Sequence, residues 1–179
     1  MPSGYLLWAT LQGGNDFDEG KGIAVDSNQN IYVLGNYQSS VFNVFPASGC
    51  IGQTTLSNSG VQNIFLIKYD SYGNVIWALT LGGKGTDSGT AITIDTDGYI
   101  YITGIMNSNK FIANPVYNGT GKQLLYKNNS INQQFIAKYD NNGNVIWIVN
   151  NTSSTNSSYS KSITTYLNTN IYTCGYTDN

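Results

Sequence analysis

The side chains best suited to bind a ligand lie in two glycine-rich segments, 69 residues apart. The first contains Asp18 and Lys21, and the second contains Asp87 and Lys84. A carboxylate close to an ammonium group suits a cation or a small polar ligand, so these four residues are candidate ligand-binding residues. The two aspartates recur at equivalent positions, which favours a structural interpretation, because a unique binding site needs no copy. In that interpretation each carboxylate accepts hydrogen bonds from loop amides beside a glycine-rich turn.

Tyr117 is the fifth candidate ligand-binding residue. It lies in a long segment that also contains Phe111 and Tyr126. Aromatic rings of this kind stack on sugars, which suggests a glycan-binding surface. Anchoring of the segment against the body of the protein is the alternative, and the residue types favour it.

The sequence offers little for catalysis or for metal binding. It has no histidine, which removes the commonest general base and zinc ligand, and Glu19 is its only glutamate. Asp95-Thr-Asp97-Gly98 and Asp140-Asn-Asn-Gly143 resemble the start of a calcium loop, but neither has the remaining ligands or the closing Glu. Both are interpreted as turns. We therefore expect no catalytic residue, no metal and no cofactor.

Composition narrows the range of partners and the cellular location. The chain has eight lysines, no arginine and a net charge of -2, which argues against nucleic acid as a partner. No apolar run approaches the length of a membrane span, and the first residues do not resemble a secretory signal. A cytoplasmic protein without membrane contact is therefore expected. Cys50 and Cys174 are expected to be free thiols, since two cysteines do not make a disulfide framework.

A repeated sequence motif predicts the secondary structure that positions these residues. Residues 65–77 and 135–147 are identical at nine of thirteen positions, and both contain Asp-x-x-Gly between apolar, β-rich arms. Such a pattern is typical of a β-hairpin, in which Asp bonds turn amides and Gly supplies a positive φ. A long repeat built from hairpins indicates a repetitive β architecture.

Each round of the repeat predicts four strands, named a to d. In the first complete round they cover residues 22–26, 31–35, 64–69 and 75–81, and no segment has a helical period. The fold class is therefore all-β, with four-stranded antiparallel blades of the β-propeller type. We expect a single domain, 1–179, with complete blades at 21–81 and 90–150. Partial blades are expected at both ends, as strand d at 5–11 and strands a and b at 160–176. Trp77 and Trp147 at strand d should pack between blades.

This series of motifs resembles the repeat family named for seven-bladed β-propellers, including members in large amoeba-infecting viruses. The resemblance rests on Trp…Gly-Gly…Asp, Ile-Ala-Val-Asp, Ile-Tyr-Val-x-Gly and Lys-Tyr-Asp-x-x-Gly-Asn-Val-Ile-Trp. It implies a propeller fold and no defined reaction. If the chain is viral, its expected location is the host cytoplasm or the virion.

Two functions are open at this stage. The first is a non-catalytic structural or interaction module that assembles with itself, as a homodimer, or with a protein or glycan partner. The second is a glycan-binding or glycan-processing propeller that would use paired carboxylates. Its site would lie where the long d–a loops (13–20 and 82–89) and b–c loops (36–63 and 106–133) emerge. Because hairpin connections alternate between the two ends of a blade, all of these loops should share one face.

Overall fold

The protein is built from β-strands joined by tight turns and longer loops. The computed structural model describes residues 5–127, 131–151, 155–168 and 170–178, and no helix occurs in these ranges. The strands are β1 (Gln12–Gly13), β2 (Asp18–Val25), β3 (Ile31–Tyr37), β4 (Val41–Val44), β5 (Thr54–Ser57), β6 (Asn63–Tyr69), β7 (Val75–Gly82), β8 (Ser88–Ile94), β9 (Ile100–Met106), β10 (Lys110–Ala113), β11 (Gln123–Tyr126), β12 (Gln133–Tyr139), β13 (Val145–Asn150), β14 (Ser158–Tyr166) and β15 (Asn170–Thr177). The all-β prediction is confirmed.

Two complete blades form the centre of the fold. Blade 1 consists of β2, β3, β6 and β7, and blade 2 consists of β8, β9, β12 and β13. In each blade the four strands lie side by side in chain order, and all neighbours are antiparallel. The predicted assignment of strands a to d to one sheet per round is confirmed.

The tight turns of both blades use one aspartate each, at positions 26, 70, 95 and 140. Asp70 Oδ1 accepts from the amides of Tyr72 and Asn74, and Asp140 Oδ1 accepts from the two equivalent amides. Asp95 does the same in its own turn and also accepts from the Tyr101 hydroxyl. The carboxylates that resembled calcium ligands in the sequence therefore close hairpins.

Each b–c loop contains a further hairpin that the sequence did not predict. These insert hairpins are β4–β5 in the first round and β10–β11 in the second. β10 continues the sheet of the preceding blade, with Ile112 opposite Gly82 and Ala113 opposite Leu81 at the end of β7. Blade 1 therefore belongs to a six-stranded sheet. Strands of four residues are too short to show a period, and their partner comes from the preceding round, so local sequence does not reveal them.

The expected strand at residues 5–11 is wrong. Only Gln12–Gly13 forms a strand, β1, and it pairs with β4 just as the end of β7 pairs with β10. In both blades strand d is held along its length by strand c, and in the described part of the chain no strand c precedes residues 5–11. Strands a and b of the third round do form, as the hairpin β14–β15.

The main hydrophobic core lies between the two blades. Side chains at even positions of β3 and β6, such as Tyr32 and Leu66, pack against Ile100 and Ile102 of blade 2. Trp77 lies at the edge of this core, as predicted. Its ring meets Tyr32 nearly edge-on at 5.8 Å between centroids. Burial of these side chains on both faces explains why the central strands are apolar without clean alternation.

Both cysteines are free thiols, as expected, with Cys50 half-buried and Cys174 exposed. In the described residues no helix has the length and apolarity needed to cross a membrane.

Candidate binding cleft on the long-loop face

Asp87 organises the long-loop face of blade 2. Its Oδ2 accepts from the amide of Gly83 at 2.7 Å and from the hydroxyl of Ser108, and its Oδ1 accepts from the amides of Asn107 and Ser108, both at 2.9 Å. The carboxylate is fully buried. It therefore holds the d–a loop against the start of the b–c loop, which places both predicted long loops on one face.

Asp18 joins the equivalent two loops in the first round. Its carboxylate accepts from the amides of Gly14, Gln38 and Ser39 and from the Ser39 hydroxyl. These donors are equivalent, position by position, to the partners of Asp87. The interpretation that each aspartate bonds loop amides beside its glycine-rich turn is confirmed by these contacts, and two of the three amides belong to the b–c loop. Ligand binding by either residue stays a prediction.

A cleft of about 580 Å³ opens beside the Asp87 loop. Its walls come from the d–a loop, the start of the second b–c loop and one residue of the first b–c loop. The lining residues are Ser59, Gly83, Lys84, Gly85, Asn107, Ser108, Asn109, Lys110 and Ile112. We call this space the Lys84–Lys110 cleft. Its volume lies within the range of small-molecule sites in proteins, which is about 300 to 1,000 Å³.

The walls of the cleft are fixed by hydrogen bonds between the loops. The Gly85 amide donates to Ser108 Oγ at 2.8 Å, and the Gly85 carbonyl accepts from the amides of Val61 and Gln62. Glycine is required at position 83, because an added Cβ would collide with the Lys110 carbonyl oxygen. The cleft is therefore a rigid feature of the loop framework.

The rim of the cleft is cationic. Lys84 and Lys110 are both exposed at its rim, and Lys127 lies behind it with its amide bonded to the Asn109 carbonyl. Burial lowers the pKa of Lys127, although the Asp87 charge acts in the opposite direction. In the described residues no carboxylate lies within ion-pair distance of any of these three lysines.

The equivalent loops of the first round carry no such charges. The positions of Lys84, Lys110 and Lys127 correspond to Asn15, Val41 and Asn58. The equivalence is structural, since the Asn58 amide bonds the Ser40 carbonyl just as that of Lys127 bonds Asn109. The framework is thus repeated, while its lysines occur in one round only.

Only two of the five predicted site residues meet at this cleft. Lys84 lines it and Asp87 supports it. Asp18 and Lys21 lie in the first round, where Lys21 forms an ion pair with Glu19 at 2.7 Å. Tyr117 is almost fully exposed and lies at a different depression, beside Val116 and Trp77.

Sequence reasoning missed Ser59, Asn109 and Lys110 as lining residues. Lys110 is 26 residues from Lys84 in the chain, and Asp87 brings the two loops together through tertiary contacts. A signal was available in the comparison of the two rounds, because a lysine replaces an uncharged residue at three framework positions.

These features define a class of protein, an all-β repeat protein whose four-stranded antiparallel blades pack face to face. The chain is similar to the beta-propeller repeat family, whose profile matches residues 7–42 and 76–111. The chain carries this repeat in two copies, and the resemblance inferred from the motifs is confirmed. Each matched range begins beside a tryptophan, Trp8 or Trp77, and runs through the Asp18 or Asp87 loop to the insert hairpin.

Two relatives extend the comparison. Over 96% of its length the chain is 30% identical to a WD repeat-containing protein of Acanthamoeba polyphaga mimivirus, an amoeba-infecting virus, and covers 13% of that protein. Over 57% of its length it is 28% identical to the regulatory protein FlaEY of Caulobacter vibrioides, of which it covers 10%. The chain therefore spans a small part of the relatives it matches.

Proposed function

We propose that this chain is a non-catalytic interaction module that assembles with a second copy of itself through its two open blade faces. The observation that carries the proposal is the exposure of positions that are buried wherever one blade packs on another. The family and the WD repeat relative support an interaction role in general terms, because propeller repeats form stacked blades.

We call the side of a blade that packs on the preceding blade its leading face, and the opposite side its trailing face. The exposure of the leading face is compared at one position of strand a. Ile92 in β8 packs against blade 1, and the equivalent Ile163 in β14 is only 6% exposed against blade 2. Ile23, at the same position of β2, is 68% exposed. Val25, two residues further on the same face, is also exposed. In the described structure, strand a of blade 1 therefore exposes apolar side chains at positions that a neighbouring blade covers elsewhere, while the inner part of the same face is covered by the insert hairpin β4–β5.

The trailing face shows the same contrast in strand b, with the exposed position in the third round. Tyr32 is fully buried against blade 2, and the equivalent Tyr101 in β9 is 2% exposed. Tyr172, at the same position of β15, is 55% exposed. Exposed apolar surfaces of this kind mark interaction sites.

A second copy is the occupant that matches these faces. The chain's own interface between blades 1 and 2 demonstrates that a leading face built on Ile92 fits a trailing face built on Tyr32. Ile23 and Tyr172 occupy the same two roles at the open ends. A leading face on one copy can therefore receive the trailing face of another, and two such contacts close a two-fold dimer.

The glycan-processing alternative requires a pair of carboxylates flanking the substrate. The residues lining the Lys84–Lys110 cleft contribute amides, hydroxyls, ammonium groups and one isoleucine side chain. Asp87 behind them is engaged by four donors of its own loops. This arrangement favours the non-catalytic proposal, and a screen of glycoside substrates tests it directly.

Light scattering coupled to size exclusion tests the assembly over a wide micromolar range. We expect a dimer that Ile23→Lys and Tyr172→Lys each convert to a monomer, because a lysine would be buried at the new interface. Tyr72→Lys is the control, since Tyr72 is also an exposed apolar residue but lies in a turn of blade 1. A stable, soluble monomer for the unchanged chain would contradict self-assembly.

A further inference from the structure

We propose that the Lys84–Lys110 cleft binds an anionic sugar, with the two ammonium groups holding its phosphate, sulfate or carboxylate group. Neither the beta-propeller repeat nor the relatives assign a ligand to this position. The proposal concerns the long-loop face and is independent of assembly through the blade faces.

The charge at the cleft points to an anion. The chain as a whole is acidic, with a net charge of -2 and only eight lysines, yet two of them lie at the rim of one cleft and a third lies behind it. No described carboxylate lies within ion-pair distance of these lysines, and the Asp87 carboxylate accepts four hydrogen bonds from loop donors. Ammonium groups that form no ion pair with the described residues can bind an oxyanion.

The remaining lining groups point to a polyhydroxyl body. Ser59 and Asn109 line the cleft, and in the described structure their side chains make no hydrogen bond within the chain. A hydroxyl and an amide both donate and accept, which matches sugar hydroxyls. Ile112 adds an apolar patch for a ring face. The volume of about 580 Å³ accommodates one or two sugar units.

The first round supplies the internal reference for this site. It repeats the loop framework around Asp18 but has Asn15 and Val41 where the second round has Lys84 and Lys110. The fold therefore does not require the two lysines. Residues that the framework does not need, and that converge on one cleft, are best explained by a ligand.

The test is calorimetric titration with glucose 6-phosphate, glucuronate and glucose at low salt. We expect at least one of the two anionic sugars to bind about tenfold or more tightly than glucose, with an affinity that falls as salt is added. The anion that binds more tightly distinguishes a phosphate from a carboxylate as the recognised group.

Three substitutions exchange residues between equivalent positions. Lys84→Asn and Lys110→Val introduce the residues of the first round and should each weaken the anionic sugar about tenfold. Lys122→Gln is the matched control, because Gln53 is its equivalent in the first round and Lys122, although exposed, does not line the cleft. It should leave binding unchanged.

Melting temperatures of all three variants confirm that the fold is retained, which the first round leads us to expect. The proposal is overturned if glucose binds as tightly as both anionic sugars, or if none of the three sugars shows saturable binding. Retention of binding in the Lys84→Asn, Lys110→Val double variant would also overturn it.

Discussion

Asp18 and Asp87 are equivalent residues that accept the same four hydrogen bonds in two successive rounds of the repeat. Each receives one amide from the glycine pair, two consecutive amides from the start of the b–c loop and one serine hydroxyl. One carboxylate per round therefore joins the loop that links blades to the loop that begins the insert hairpin. Its recurrence explains why the same residue type appears twice without implying two binding sites.

Asp87→Ala should lower the free energy of unfolding by about 1 to 3 kcal/mol, because it leaves buried donors without an acceptor. Asp18→Ala should cost less, since the Asp18 loop is only partly buried and water can replace the carboxylate. Denaturant unfolding monitored by tryptophan fluorescence measures both. A larger loss for Asp18→Ala than for Asp87→Ala would contradict this ranking.

Gln29→Gly should stabilise the protein by about 0.5 to 1 kcal/mol. Gln29 has a φ of 64°, at the turn position occupied by Gly73, Gly98 and Gly143 in the other hairpins. Glycine adopts this conformation without the steric cost that a side chain pays. Thermal unfolding measures the gain.

The reciprocal change is the control for Gln29. Gly98 has a φ of 84°, and a Cβ added there would have no atom within 4 Å. Gly98→Ala should therefore destabilise by about 1 kcal/mol through the backbone alone. A neutral result at both positions would mean that these turns relax when substituted.

Trp77→Phe should destabilise the interface between blades by about 1 kcal/mol or more, through loss of an indole hydrogen bond and ring area. Trp77 Nε1 donates to the Asn141 carbonyl at 3.2 Å, in a turn of the next blade. Trp8 makes the equivalent bond to Ser71 at 3.1 Å.

Trp147→Phe is the comparison for Trp77. Trp147 packs on Tyr101 with 6.1 Å between ring centroids, but in the described residues its indole has no equivalent acceptor. Its substitution should cost less in the same unfolding experiment. Equal losses for the two variants would show that ring packing, and not the bond between blades, sets the effect.

The sequence was sufficient for the strands of the two blades and their order. Strands a to d are joined by Asp-x-x-Gly turns or by recurrent loops, so each pairing follows from local chemistry repeated at a fixed period. Asp70 and Asp140 close their hairpins with the same amide bonds, as the pattern predicts.

The sequence was insufficient where an element depends on a distant partner. β10 forms because the end of β7 offers an open edge, and residues 5–11 form no strand although they resemble strand d. The binding cleft has the same origin, since Lys84 and Lys110 are brought to one cleft by tertiary bonds between their loops, which are made by Asp87 and by Gly85 with Ser108. Burial and pairing of this kind are tertiary properties that a local pattern does not encode.

The free energy of unfolding should decrease as the pH falls below about 4, the usual pKa of an aspartate. Burial acts to raise the pKa of Asp26, but hydrogen bonds from Asn30, Tyr32 and Asn28 outweigh it, so the pKa in the folded state lies below 3.8. A carboxylate with a lowered pKa stabilises the fold above its unfolded pKa, and this contribution is lost as the pH falls through the folded pKa.

Asp26→Asn tests the origin of this acid sensitivity. Burial also acts to raise the pKa of Asp70, but hydrogen bonds in its turn outweigh this effect and lower the pKa. Part of the pH dependence should therefore remain in the Asp26→Asn variant. We expect Asp26→Asn to be less stable than the unchanged chain at pH 7 and to lose less stability on acidification, as measured by denaturant unfolding at a series of pH values. Asp97→Asn is the control, because the Asp97 side chain is exposed and makes no hydrogen bond in the described structure. If Asp26→Asn has the same dependence on pH as the unchanged chain, the turn carboxylate is not the group whose protonation destabilises the fold.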